Sequence, residues 1–279
     1  LYYDLLTCIS DNVNKFTKNP IIFKSFKLAC IISIIMKKII FIMLSIVALF
    51  SGCCGNGSSK DDSVIVAGQE KELKTKEALK VACIGNSITK HGYLPSVGWY
   101  GDWGMAASKE ENDYCHVLQS KLKNFNSSSS VTPVPIQDFE LNPARSLDYL
   151  DSQISGADII VIRIGENVQD APAFEKNLPR LVEKCKKVTS KVLIVGSFWK
   201  NDAVENVLRN SARTNNLTYV SLSSIRSRTD VCPQKGDTLY DRDGNAYKIK
   251  TDFILAHPND KGMSLIATAI FNGIASLYD

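Results

Sequence analysis

The chain has 279 residues, of which 44% are hydrophobic and 22% charged, with 16 Gly, 9 Pro and 8 Cys. This is ordinary globular usage and excludes collagen, low-complexity disorder and a polytopic membrane protein. The formal charge of +4 is carried by residues 1–52, which hold six Lys and two Asp; from Cys53 onward 27 basic side chains face 27 acidic ones, so the body is neutral and offers no electrostatic footprint for nucleic acid.

The first element is a leader. Met36 is followed by Lys37-Lys38, an apolar run of 12 residues (39–50) and then Ser51-Gly52-Cys53, the layout of a secretory signal too short to span as a helix. One anchor over 28–50 would place Lys37 and Lys38 near its middle, at about 2.5–3.5 kcal/mol each. Leu49-Phe50-Ser51-Gly52-Cys53 resembles the bacterial lipobox, with Phe50 where an aliphatic residue is usual. That resemblance implies cleavage before Cys53, a lipid on its sulfur, contact with a membrane through that lipid, and a bacterial cell-envelope location, periplasmic or surface-exposed. Residues 1–35 read as upstream sequence outside the native protein and 36–52 as the signal peptide. Residues 53–79, Gly/Ser-rich and then charged, read as a lipidated cysteine on a flexible tether. The acidic pair Asp61-Asp62 after Lys60 also resembles the surface-export signals of some Bacteroidetes lipoproteins.

Residues 80–279 are enough for one domain with a substantial core. Buried strand-like runs at 80–84, 131–139, 158–164, 191–196 and 217–222 alternate with amphipathic stretches at 113–125, 173–188, 202–214 and 260–277. This pattern predicts an α/β domain: a parallel sheet with helices on both faces, three layers in all. Cys83 and Cys185 fall in apolar patterns that read as core, and no spacing among Cys83, Cys115, Cys185 and Cys232 suits zinc or assigns a disulfide.

Reacting groups in such a sheet belong at the carboxyl ends of its strands. The first strand ends in Gly85-Asn86-Ser87, a glycine permitting a tight turn and a serine placed where a nucleophile has to be. The third ends in Gly165-Glu166-Asn167, which puts a side-chain amide at the same edge; His257-Pro258 stands directly before the last helix. Each signal alone reads as a turn or a packed residue. Taken together, Gly-x-Ser, Gly-x-Asn and His-Pro in this order resemble the SGNH family, also called GDSL hydrolases, over 81–278. The resemblance implies a flavodoxin-like three-layer fold and a serine ester hydrolase without metal or organic cofactor. Ser87 is then the nucleophile, His257 the general base and acid, and Asn167 an oxyanion donor, with the N–H of Ser87 as a backbone donor.

The sequence departs from the family twice. Where the family has Asp three residues before the histidine stands Ile254; Asp252 is the candidate orienting acid, with a backbone carbonyl as its rival. An extended segment would turn Asp252 and His257 to opposite faces, which favours a Ser87-His257 dyad. The family's second-block glycine is also absent from Glu140-Leu141-Asn142-Pro143-Ala144-Arg145-Ser146, leaving Ala144 as the second backbone donor candidate.

Asn86, Asn142, Arg145, Glu166, Trp99, Trp103 and Trp199 are candidate pocket residues. Aromatic faces suit sugar rings, against the alternative that Trp99 and Trp103 only pack their Gly-rich loop, and the loops lack the long apolar stretches of an acyl tunnel. The insertion at 224–250 reads as a hairpin with an Asp-Gly turn rather than a calcium loop, walling the site or decorating the edge. The expected activity is hydrolysis of a small acyl ester, acetyl above all, on a carbohydrate. The alternatives are a lipase or thioesterase on the same site and a decayed, glycan-binding surface protein.

Overall fold

The computed structural model describes residues 64, 65 and 69–279; the segments expected to be upstream sequence (1–35) and a signal peptide (36–52), and Cys53, lie outside the described residues. The strands are β1 (Val64–Ile65), β2 (Lys80–Gly85), β3 (Ser130–Pro135), β4 (Ile159–Arg163), β5 (Val192–Val195) and β6 (Thr218–Val220). They form one parallel sheet in the order β1-β6-β5-β4-β2-β3. All residues of β4 and β5 are buried, which is why Ile159-Ile160-Val161-Ile162 and Val192-Leu193-Ile194-Val195 run without polar alternation.

Alternate side chains leave opposite faces of a strand and feed two cores. Val81, Cys83, Ile159, Val161, Leu193 and Val195 pack under helices α1 (Tyr114–Lys123) and α8 (Asp260–Ser276). Ala82, Ile84, Ile160, Ile162, Val192 and Ile194 face α4 (Ala171–Val188) and α5 (Asp202–Asn215). Each fully buried Ile, Leu or Val contributes about 1.5–3 kcal/mol. The smaller helices are α2 (Gln137–Leu141), α3 (Leu150–Ile154), α6 (Ser223–Arg226) and α7 (Asp252–Leu255).

In three places the structure differs from the sequence expectation. The strand expected over 131–139 stops at Pro135, and the chain turns into α2: β3 is an edge strand, where Pro133 and Pro135 are tolerated, and Ile136 N–H donates to the Gly85 carbonyl at 2.7 Å. The stretch assigned to the tether is partly structured: Val64–Ile65 pair with β6, Leu73 and Leu79 are buried, and the Lys71 N–H donates to Asn272 Oδ1 at 2.8 Å. The segment before His257 is not extended but forms α7. At 224–250 the hairpin is β7 (Thr238–Tyr240) against β8 (Ala246–Lys248), and Asp241 Oδ1 accepts the N–H groups of Asp243 and Asn245 within the turn. Its carboxylate is thereby engaged by the backbone. Cys83, Cys115, Cys185 and Cys232 are all free thiols, the first three buried.

Candidate active site

β2 is hydrogen-bonded to β3 on one side and β4 on the other, so successive connections leave it in opposite directions. The carboxyl ends of β2 and β4 therefore flank the crevice that such a reversal opens in a doubly wound sheet. Ser87 follows β2 and Glu166-Asn167 follow β4.

The turn that carries Ser87 is built on Gly85. A Cβ there would lie 1.7 Å from Thr89 Oγ1 and 3.0 Å from the Arg163 carbonyl, so only glycine lets the turn close against β4. Thr89 and Lys90 N–H both donate to the Asn86 carbonyl, at 2.9 and 3.0 Å, and Met105 N–H donates to the Ser87 carbonyl at 2.9 Å. The Gly-rich loop is thus a brace for Ser87. Its tryptophans pack the loop onto the domain: Trp99 is fully buried and Trp103 nearly so, edge to face with centroids 5.7 Å apart. Their indole N–H groups are taken by the carbonyls of His91 and Ala107, which satisfies the only polar atom each carries.

Ser87 Oγ lies 2.9 Å from His257 Nε2. His257 Nδ1 lies 3.1 Å from the Phe253 carbonyl oxygen, which only accepts, so Nδ1 carries the proton and Nε2 offers its lone pair to the serine hydroxyl. Burial pushes the His257 imidazole down to about 4; the Phe253 carbonyl works in the opposite direction. Trp199 donates its indole N–H to the Ala256 carbonyl at 2.6 Å and sets its ring edge to face with His257, 5.5 Å between centroids. After Pro258, Asn259 caps α8 through Gly262 N–H and donates its own amide to the carbonyls of Asp230 and Cys232, which fixes the turn. Asp252 points elsewhere: it is exposed and pairs with Lys235 at 2.7 Å.

Beneath Ser87 and Asn167 is a buried polar network that the sequence reading did not assemble. Arg163, with no exposed surface, donates from Nη1 to Glu166 Oε1 at 2.8 Å and from Nη2 to Asn86 Oδ1 at 2.6 Å. Glu166 also accepts from Phe198 N–H at 2.7 Å. Asn86 donates to Glu166 and, at 3.0 Å, to Glu140 Oε1. Glu140 Oε1 accepts the Gly165 N–H as well, and Glu140 Oε2 accepts from Asn167 Nδ2 at 2.8 Å. Asn86 and Glu166, proposed from sequence as pocket residues, have fully buried side chains and serve this network instead. For Glu140, burial and then the neighbouring Glu166 charge push the carboxyl above its ordinary value. Burial pushes Glu166 up too, but the Arg163 guanidinium together with the Phe198 and Asn86 N–H groups outweighs it and holds the carboxyl below.

Of the remaining candidates, Asn142, Ala144 and Arg145 are exposed in the turn after α2. Arg145 pairs with Asp138, and Arg180 of α4 clamps this turn through the carbonyls of Pro143 and Arg145 at 3.2 and 3.1 Å. Glu140 and Arg163 were given no role because Glu140 opens the segment read only for its missing glycine, just past the strand expected over 131–139, and Arg163 lies inside a core strand. The available signal was a charged residue at a position that the apolar pattern assigns to the interior.

No family model and no curated protein matches the chain. Among solved structures it is similar to an α/β hydrolase enzyme from the metagenome of Lake Arreo, Spain, at 17% identity over 72% of this chain and 98% of that one, TM-score 0.47. It is also similar to an acetylxylan esterase from Geobacillus stearothermophilus (17% identity, 70% of this chain, 94% of that one, TM-score 0.45). A third is a two-domain esterase active on acetylated mannans (22% identity, TM-score 0.49), where 72% of this chain covers 50% of that one.

Proposed function

We propose that this protein is a serine esterase that removes small acyl groups, acetyl above all, from carbohydrate, working through a Ser87-His257 dyad. The observation that carries the reading is the 2.9 Å approach of Ser87 Oγ to a His257 Nε2 whose tautomer is set by the Phe253 carbonyl. A neutral imidazole with a free Nε2 lone pair is the base that a serine hydroxyl needs.

In this reading Ser87 Oγ attacks the ester carbonyl as its proton passes to Nε2. The oxyanion is met by the Ser87 N–H, by the Asn167 N–H not committed to Glu140, and by Ala144 as the third donor. Collapse of the tetrahedral species breaks the bond to the alkoxy oxygen, which leaves as an alcohol carrying the proton from Nε2. Water then attacks the acyl-serine, Nε2 takes its proton and returns it to Ser87, and the acid is released.

The carbohydrate side of the reading rests on Trp199, half-buried against His257, as the aromatic wall beside the dyad; Trp99 and Trp103 contribute nothing to it. Membrane attachment through a lipid on Cys53 belongs to the same proposal and would set the enzyme among envelope polysaccharides. The test is purified protein on acetylated polysaccharides and on a small acetyl ester, with released acetate measured. Acetate release that disappears in Ser87→Ala supports the reading, and no release from any of these by the wild type removes it.

A further inference from the structure

Glu140 is a buried carboxylate surrounded by donors. Oε1 accepts from Asn86 Nδ2 at 3.0 Å, from the Gly165 N–H and from the Asn167 N–H at 3.4 Å, and Oε2 accepts from Asn167 Nδ2 at 2.8 Å. The orientation of Asn86 is not free, because its Oδ1 accepts from Arg163 Nη2 at 2.6 Å and from Ile88 N–H at 3.2 Å, which leaves Nδ2 to face Glu140 and Glu166. One carboxylate therefore ties the residue before the nucleophile to both the backbone and the side chain of the proposed oxyanion donor. These groups come from the turn after β2, from α2 and from the turn after β4, separated by 54 and 27 residues.

The oxygen and nitrogen of an asparagine amide are nearly isosteric, and only hydrogen-bond partners decide which faces which way. A carboxylate accepts and does not donate, so opposite Glu140 Oε2 the amide of Asn167 must present nitrogen. That amide has two N–H bonds; with one fixed on Glu140 the direction of the other is fixed too. We propose that Glu140 is the positioning residue of the oxyanion site, holding Asn167 in the one amide orientation that leaves an N–H for the substrate oxyanion. This rests on the esterase reading above. The charged groups packed around Glu140 are Glu166 and, through Asn86, Arg163; the guanidinium offsets the repulsion that a buried carboxylate exerts on a developing oxyanion.

Glu140→Gln is isosteric but places an NH2 group where every neighbour donates. Facing Asn167, it turns the Asn167 amide over. The experiment is a cycle of wild type, Glu140→Gln, Asn167→Ala and the double variant, with kcat, KM and melting temperature measured on a small acetyl ester. Glu140→Gln is expected to lose kcat to about the extent of Asn167→Ala, in the range of about 10²–10³ for one oxyanion donor, with KM nearly unchanged. The double variant is expected to be no slower than the slower single one, because both remove the same N–H. A purely structural Glu140 gives losses that multiply, with a lowered melting temperature. Multiplying losses, or a loss in Glu140→Gln under about threefold against that range, overturn the proposal. If Glu140→Gln does not fold, the same cycle is run with Glu140→Asp, which keeps the charge but withdraws it by one methylene, and is read by the same non-additivity. A wild type without esterase activity fails the functional reading itself, an outcome distinct from an active wild type with multiplying losses.

Discussion

His257 Nδ1 lies 3.1 Å from the carbonyl oxygen of Phe253, four positions earlier in the chain. The last turn of α7 thus does for the imidazole what a carboxylate does in a triad: it fixes the tautomer and the ring plane. A carbonyl carries no full charge, so it stabilises the imidazolium less. Asp252 is committed to Lys235 on the surface, an exposed pair of the kind worth about 0.2–1 kcal/mol.

Asp252→Asn is therefore expected to lower kcat less than about tenfold, against about 10⁴ for the amide replacement of a true triad acid. Steady-state kinetics on a small acetyl ester decide this. A loss approaching that of the serine variant would show that Asp252 reaches the histidine during turnover.

Ser87→Ala and His257→Ala are each expected to abolish ester hydrolysis while leaving a folded protein, because both side chains are small parts of a large core. Asn167→Ala should cost about 10²–10³ in kcat. Wild-type turnover by Ser87→Ala would take the nucleophile away from this site. Circular dichroism of all three variants separates loss of chemistry from loss of fold.

The pH dependence follows from the burial of His257. The proposed dyad requires its base form, and burial pushes the imidazole down to about 4, so the acid limb of kcat/KM is expected near pH 4 rather than near the unperturbed 6.5. The sign for stability is the same: between those values the unfolded chain binds the proton and the folded one does not, so stability falls as the pH drops through that window. A pH-rate profile with its acid limb above pH 6 would mean that water reaches the imidazole in the working enzyme.

The strands and long helices were legible in the sequence because β4 and β5 are unbroken apolar runs and α4 and α5 have clean caps at Asp170 and Asn201. Ser87, Asn167 and His257 were legible because glycine turns and a helix start mark where strands and loops end. Glu140 was not, since its partners Asn86 and Asn167 lie 54 and 27 residues away and only the folded sheet brings them together. The tryptophans of the Gly-rich loop were ambiguous for a different reason: an amphipathic ring suits a sugar face and a core equally, and only the partners of its N–H group distinguish the two. For Asp252, the expectation of divergence from His257 assumed an extended chain. The segment instead forms α7, which ends at Leu255, two residues before His257, and Asp252 on it is held by Lys235, so the same outcome has another cause.

Cys53 lies outside the described residues, and its modification stays a proposal drawn from the basic, apolar and small-residue order before it. Mass spectrometry of the native N-terminus is expected to find a mature protein that starts at Cys53 with a lipid on its sulfur. An unmodified Cys53 in a protein that still begins at or before Met36 rules it out.

The turn that carries Ser87 offers the sharpest structural prediction. A methyl group at position 85 would lie 1.7 Å from Thr89 Oγ1 and 2.7 Å from its Cβ. Thr89 has little room to yield, because its hydroxyl shares a 2.7 Å hydrogen bond with the buried Tyr114 hydroxyl and its N–H is tied to the Asn86 carbonyl. The opposite wall is the backbone of β4 at Arg163, 3.0 Å away, which is central in the sheet and cannot retreat without disturbing the register of β2 against β4. Gly85→Ala is therefore expected to destabilise the fold by about 1–3 kcal/mol, the usual cost of overpacking a core. Because the relief must come from the turn that carries Ser87, kcat should fall further than stability alone explains, even at temperatures where the variant is fully folded. Thermal melts and kinetics of Gly85→Ala, measured side by side, check both halves; an unchanged melting temperature with unchanged kcat would show that the turn has slack the geometry denies it.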